Sequence, residues 1–244
     1  MMLRKQEIKL ASILLVLLTI SLFLDYIYSP PNFAAIEEVK DRKKAFVDYL
    51  TPAIIDINKQ RATERMELQR LYAELKSNKI LSYLERRKLE SWSERYEINY
   101  QPDKLIVNAK KLLFNLDEIP VSMVLAQAAV ESAWGTSRFV REGYNLFGQW
   151  CFTKGCGMIP NARTKGASHE VQEFDSIKEA LYSYFQNINS HSAYQKVRTI
   201  RAQARAAGRP LSGLEMVGGL QKYSERGQVY IDELRSVIRF NKFE

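Results

Sequence analysis

The sequence predicts a mostly helical α+β protein with a small antiparallel β lobe, and three observations predict it. Apolar residues recur at helical spacing along most of the 244 residues. Strand-like runs are confined to Gly157-Met158-Ile159-Pro160 and Glu170-Val171-Gln172-Glu173-Phe174, on either side of a polar loop over 161–168. Apolar residues make up 46% of the chain, enough to fill a substantial core in one or two domains.

The elements follow in chain order. Arg4, Lys5 and Lys9 precede an uncharged apolar run over 10–24, and the apolar character resumes at Tyr26-Ile27-Tyr28. Residues 1–28 thus read as a signal anchor or a signal peptide. No small-x-small cleavage site follows directly and no cysteine for lipidation lies nearby, which favours an uncleaved anchor. The basic flank places the short leading side in the cytoplasm and the rest outside.

After the break at Pro30-Pro31-Asn32, residues 33–97 are helix-rich and highly charged. Pro52 stands near the start of a segment running through 61–75, where Met66, Leu68, Leu71, Tyr72 and Leu75 form a helical stripe. Asn78-Lys79-Ile80 with Ser82 reads as a turn into a helix over 84–96. The alternating charges indicate solvated helix faces. Residues 29–100 form a helical N-terminal region that packs on the next domain or spaces it from a membrane. The boundary falls at Gln101-Pro102-Asp103, and 101–244 is the functional domain.

The run Ala126-Gln127-Ala128-Ala129-Val130-Glu131-Ser132-Ala133-Trp134-Gly135 reads as a helix of small and apolar residues with one carboxylate near its end. Pro120 suits its first turn, Asp117 a cap before it, and Gly135 a stop. Glu131 follows Ala128, Gln127 and Val124 by three, four and seven residues, so it projects from the apolar face. Burial and the negative end of the helix dipole both disfavour the anion. A carboxyl that stays protonated near neutral pH is what a glycosidase general acid requires. The bland alternative is an exposed or ion-paired glutamate.

The loop Gly143-Tyr144-Asn145-Leu146-Phe147-Gly148-Gln149-Trp150 is dense in glycines and aromatics. With Trp134, its Tyr144, Asn145, Phe147 and Trp150 have the composition of a carbohydrate groove. Flat rings stack on sugar faces and an amide hydrogen-bonds hydroxyl or N-acetyl groups. Ordinary core packing is the alternative for Tyr144, Phe147 and Trp150, and at least one of them is expected to pack.

Cys151 and Cys156 flank four residues that can turn back as a hairpin, so a disulfide is expected in an oxidising compartment. Two thiolates supply half a tetrahedral metal site, and His169 and His191 lack the paired spacing to complete one, so no metal is expected. A Cys–His nucleophile would be silenced by the same disulfide. Beyond the strand-like stretches, Asp175 or Ser176 caps a helix over 177–187. Further helices follow over 197–207, ending at Gly208-Arg209-Pro210, and over 228–240.

Three ordered motifs carry a family resemblance. The segment from Ala126 to Gly135, the tetrapeptide Asn145-Leu146-Phe147-Gly148, and Tyr223-Ser224-Glu225-Arg226-Gly227-Gln228-Val229-Tyr230 resemble the glucosaminidase domain of glycoside hydrolase family 73. Within it, Gly148-Gln149-Trp150-Cys151, Gly155-Cys156-Gly157, Ser168-His169-Glu170-Val171 and Tyr223-Ser224-Glu225-Arg226-Gly227 resemble the bacterial Bax subgroup. The resemblance covers residues 101–244 and, more loosely, the helical stretch before them. It implies a lysozyme-like fold with Glu131 at the base of a cleft between lobes, and no cofactor.

A glycosidase usually needs a second group opposite its acid. Glu170 and Glu173, three apart on a strand, point to opposite faces, so one of them can face a cleft. The match at Ser168-His169-Glu170-Val171 favours Glu170, with a surface salt bridge as the plainer alternative. Tyr223 is the other candidate, steadying a path in which the substrate's own acetamido oxygen attacks the anomeric carbon.

A net charge of +8 favours an anionic polymer or surface. The basic residues are spread out and carry no helix-turn-helix, zinc or RNA-binding signature, so nucleic acid is not expected. The expected partners are peptidoglycan glycan strands and, through the N-terminal segment, the inner membrane. The domain would then lie in the periplasm, tethered, or free there if the segment is cleaved. The function expected is hydrolysis of the β-1,4 bond between N-acetylglucosamine and N-acetylmuramic acid, with Glu131 as acid. Muramidase or lytic transglycosylase cleavage is the enzymatic alternative, and a non-catalytic peptidoglycan-binding scaffold the alternative outside catalysis.

Overall fold

A computed structural model describes residues 30–160 and 168–244. The apolar run over 10–24 and most of the polar loop beyond Pro160 lie outside the described residues. Among the described residues, no helix is long and apolar enough to cross a membrane.

The chain is mostly helical with one small antiparallel sheet, the α+β composition the sequence predicts. A 3-10 turn, Phe33–Ala35, leads into α1 (Val39–Lys76) and α2 (Tyr83–Arg95). Then come α3 (Leu105–Asn115), α4 (Val121–Ser132) and α5 (Arg138–Gly143). The sheet is built from β1 (Trp150–Cys151), β2 (Gly157–Met158) and β3 (Glu170–Gln172). Helices α6 (Ile177–Ser190), α7 (Gln195–Ala206), α8 (Gly213–Met216) and α9 (Gln228–Phe240) complete the chain. Residues 33–244 pack as one compact unit.

The segment expected to begin near Pro52 is part of one 38-residue helix. Pro52 lies inside α1 without ending it, although it cannot donate a backbone bond. Burial explains the tolerance. Phe46, Leu50, Ile54 and Ile57 on either side of it are fully buried, and tertiary packing outweighs local propensity. The turn after α1 forms where the sequence places it. Asn78 takes a left-handed φ of 61°, and Ser82 and Glu85 form a reciprocal capping box that opens α2.

Helix α1 joins two cores. Its first half lies with α4, α6 and α9 in the larger cluster, which includes Met123, Val124, Phe147, Tyr184, Phe185 and Tyr230. Its second half supplies Leu68, Leu71 and Leu75 to a smaller cluster with Leu89, Trp92 and Tyr96 around α2 and Ala109 and Leu112 on α3. Met66, expected in the same stripe, is exposed. Helix α4 is buried from Ser122 through Ala129, and its alanines let neighbouring helices come close. A helix apolar all round belongs inside a protein.

Asp117 does not cap α4; Pro120 is the N-cap residue, and no side chain bonds there. Asp117 is 2% exposed and sits among three guanidinium groups, at 2.7 Å from Arg205, 3.3 Å from Arg65 and 3.8 Å from Arg201. Arg201 also donates to the carbonyls of Phe114, Asn115 and Glu118 and to Asn189 Oδ1. This buried cluster ties α1, the α3–α4 link, α6 and α7 together.

In the sheet β3 is central, with the order β1-β3-β2 and both pairings antiparallel. Trp150 pairs with Val171 and Cys151 with Glu170; Gly157 pairs with Gln172 and Met158 with Val171. In the sequence Trp150–Cys151 reads as loop, because two residues carry no periodicity and only the partner strand defines them. Gly157 has a packing reason. A Cβ there would lie 2.0 Å from the Val171 carbonyl oxygen.

Candidate active site

Helix α4 ends at Ser132, short of Gly135. Ala133, Trp134 and Gly135 all take left-handed conformations, with φ of 50°, 59° and 80°. The Ser132 hydroxyl oxygen accepts the Gly135 N–H at 2.9 Å, which fixes this turn. Gly135 also packs where no side chain fits, since a Cβ would lie 2.4 Å from the Phe33 ring. Glu131 is thereby held in the last turn of a buried helix, half-buried itself.

The surroundings of Glu131 are tyrosines. Tyr230 of α9 lies against its carboxyl. Tyr184, Tyr194 and Tyr223 also lie close enough to feel its charge. Burial pushes the Glu131 carboxyl above its ordinary value. The Tyr230 hydroxyl pulls the other way, the Glu233 carboxylate adds to the rise, and Arg226 opposes it. Burial likewise drives Tyr184, Tyr223 and Tyr230 upward, so all three stay neutral phenols. Gly148 lies against the acid: a Cβ on it would be 3.8 Å from Glu131 Oε2.

Gln127, one turn before Glu131, is fully buried and bonded on both sides. Tyr184 Oη donates to its Oε1 at 2.5 Å, and its Nε2 donates to Tyr230 Oη at 3.1 Å. Tyr223 packs its ring parallel to Tyr230 at 5.6 Å and donates its hydroxyl to the Phe147 carbonyl oxygen at 2.9 Å. Sequence reasoning did not single out Gln127, Tyr184, Tyr194 or Tyr230 as site residues. The available signal was Gln127 itself, a lone amide on an otherwise apolar helix face that must find partners when buried.

The expected groove residues divide into two groups. Trp150 is 57% exposed, with His169 stacked on its ring at 4.0 Å. Tyr144 is half-buried and closes α5 in a left-handed conformation. Phe147 is buried and stacked on Tyr184 at 4.0 Å, which makes its ring core. Asn145 is also structural. Its amide nitrogen donates to the Gln149 and Gln172 carbonyls and its oxygen accepts from the Phe147 and Gln149 N–H groups. Two donors and two acceptor positions are then all used, leaving no capacity for an N-acetyl group. Trp134 packs on Phe46 at 5.7 Å and Phe243 at 6.4 Å, beneath the Lys43 ammonium at 4.6 Å, so it braces α1.

Cys151 and Cys156 form the expected disulfide. Of the two candidate strand acids, Glu173 is exposed and Glu170 is buried. The Glu170 carboxylate accepts the backbone N–H of Gly155 at 3.1 Å and of Gly157 at 3.0 Å, which pins the disulfide hairpin to β3. One of its oxygens lies within 4.8 Å of both sulfurs, but oxidised sulfurs offer no thiolate for a metal. Replacing both cysteines by alanine is expected to speed amide exchange at Gly155 and Gly157 by roughly tenfold, as these bonds loosen. Exchange in α4 should not change. Unaltered protection of the two glycines would mean that Glu170 holds the hairpin unaided.

A helical α+β fold with a half-buried carboxyl among tyrosines, flanked by a small disulfide-closed sheet, defines the class. The chain belongs to the glucosaminidase family: residues 108–242 match the family described as mannosyl-glycoprotein endo-beta-N-acetylglucosaminidase. It is 34% identical over 201 residues to Protein bax of Escherichia coli (strain K12), an alignment covering 82% of this chain and 70% of that protein. No solved structure matches the chain.

Proposed function

We propose that this protein is a peptidoglycan hydrolase that cleaves the β-1,4 bond between N-acetylglucosamine and N-acetylmuramic acid, with Glu131 as general acid. The observation that carries the reading is the raised, half-buried carboxyl of Glu131 in a tyrosine-lined site of a glucosaminidase-family chain. The protonated carboxyl gives its proton to the glycosidic oxygen as the C1–O bond breaks. Water, or first the substrate's acetamido oxygen, captures the oxocarbenium-like centre.

Tyr223 and Glu170 are the candidates for the second role. The Tyr223 proton is committed to the Phe147 carbonyl, so toward substrate its oxygen acts as an acceptor suited to an acetamido N–H. Both Glu170 oxygens already receive a backbone N–H, which favours a supporting role in shaping the β lobe. The arrangement we favour is lysozyme-like, with the sheet as one wall of the cleft. Trp150 would offer its exposed ring to a sugar, and Trp150→Ala is expected to raise KM roughly three- to tenfold with kcat little changed. An unchanged KM would remove it from the groove.

The disulfide and the apolar run over 10–24 support a location outside the cytoplasm, tethered to the inner membrane by that run. Clearing of peptidoglycan by the purified protein, with mass spectrometry of the released fragments, tests the function. Reducing-end N-acetylglucosamine is expected. Reducing-end N-acetylmuramic acid or its anhydro form would instead assign muramidase or lytic cleavage. Absence of clearing would indicate a binding scaffold.

A further inference from the structure

We propose that a polar cavity beside the Tyr194–Tyr223 pair is a subsite for the carboxylate-bearing peptide stem of the glycan. The inference rests on the reading of the chain as a peptidoglycan hydrolase, and it concerns a part of the substrate remote from the cleaved bond. The cavity has a volume of about 360 Å³. Ser192, Gln195, Lys196 and Thr199 line one wall, formed by the 3-10 turn Ser192–Tyr194 and the start of α7. Gln221 and Lys222 line the other. No acidic residue lines it, and among the described residues neither ammonium group has an ion-pair partner. The side chains of Ser192, Gln195 and Gln221 likewise make no hydrogen bond among the described residues. At the base the two walls meet backbone to backbone: a Cβ on Gly219 would lie 2.4 Å from the Val197 nitrogen. Only glycine permits that approach.

Printed on the geometry is a short path from this cavity to the acid. Glu131 Oε2 would lie 3.8 Å from a Cβ on Gly148. Phe147, the preceding residue, accepts the Tyr223 hydroxyl on its carbonyl oxygen at 2.9 Å. The Tyr223 ring in turn lies 5.7 Å from that of Tyr194. Each tyrosine directly follows a cavity residue, Ala193 before Tyr194 and Lys222 before Tyr223. The lining then selects the ligand. No aromatic residue lines the cavity, so it lacks the flat platform on which a pyranose stacks. Ammonium groups bind carboxylates, and the Gln195 and Gln221 amides both donate and accept, as a peptide bond does. The peptide stem offers free carboxylates and a run of amides together, and it branches from the N-acetylmuramic acid beside the cleaved bond.

The test gives the full chain two soluble substrates, glycan strands with intact stems and the same strands with the stems removed at the lactyl amide. Removal leaves the lactyl carboxylate on the sugar, so the stripped strand stays anionic. KM for the stem-bearing strands is expected to be about fivefold the lower, with kcat alike. Lys196→Ala/Lys222→Ala should bring the ratio of the two KM values close to one, whereas Lys196→Arg/Lys222→Arg should keep most of it. Lys110→Ala/Lys111→Ala removes the same charge from the exposed face of α3 and is expected to leave the ratio where it was. A wild-type ratio of one overturns the proposal, as does a ratio that Lys196→Ala/Lys222→Ala leaves unmoved. An equal fall in the α3 variant would assign the effect to net charge and overturn it too. Titration of a synthetic stem tetrapeptide, followed by amide NMR, separates the subsite from the hydrolase reading. Shifts centred on Ser192, Gln195 and Gln221 with neither substrate cleaved would keep the subsite and reject hydrolysis. Cleavage of both substrates at equal KM, with those amides unmoved, would keep hydrolysis and reject the subsite.

Discussion

Glu131→Gln is expected to lower peptidoglycan clearing at least about a hundredfold while leaving the protein folded. Glutamine keeps the shape and hydrogen-bonding reach of the carboxyl but has no transferable proton. The loss should therefore fall on turnover more than on binding of glycan. Stability gives an independent check with a definite sign. Burial raises the Glu131 carboxyl above its unfolded value. Its contribution is then fully present below the unfolded value and is lost as pH rises through the folded one. Once the pH has risen through that folded value, the wild type bears the cost of a half-buried anion and the variant does not. Thermal unfolding of Glu131→Gln at neutral pH should thus occur at the same temperature as the wild type or higher. Equal clearing by the two proteins would sink the general-acid role. A variant that unfolds early would attribute any lost activity to packing.

Asp117→Asn is expected to cost about 3–5 kcal/mol, because it leaves Arg65, Arg201 and Arg205 around a neutral group. For a chain of this size that corresponds to a fall in Tm of roughly 6–20 °C. Burial by itself would raise the Asp117 carboxyl, but Arg201, Arg205 and Arg65 outweigh it and hold the group below its ordinary value. A lowered carboxyl stabilises the fold above its unfolded value, and that stability disappears as pH falls through the folded one. The wild type should accordingly lose stability in acid more steeply than the variant, and the two unfolding curves should converge at low pH. A loss below about 1 kcal/mol at neutral pH would mean that the arginines are held by their backbone carbonyl partners and not by the carboxylate.

The last helix begins and ends where its periodicity and flanking residues place it, over Gln228–Phe240. Ser176 caps α6 and Ser82 caps α2, both local choices that a short polar side chain before an apolar pattern announces. Glu131 stands out as a candidate for the same reason: a carboxylate among alanines on one helix is a local pattern. Asp117 marks where this kind of reading ends. Its position before a helix suggested a cap, while its partners come from residues 52, 84 and 88 positions away. Asn145 and Trp134 mislead in the same way, since both belong to types that bind sugars and both are taken up by the protein's own contacts.

The sequence by itself determined the helical α+β class, the pairing of its two cysteines and the apolar setting of Glu131, because each follows from spacing between residues near one another in the chain. The tertiary structure alone decided what surrounds that acid. Gln127, Tyr184, Tyr194, Tyr223 and Tyr230 come from five separate segments, and the hydrogen bonds among them exist only once those segments meet. A buried polar group must be satisfied by whatever the fold brings to it, and which residue that is depends on packing between distant elements and not on its neighbours in the chain.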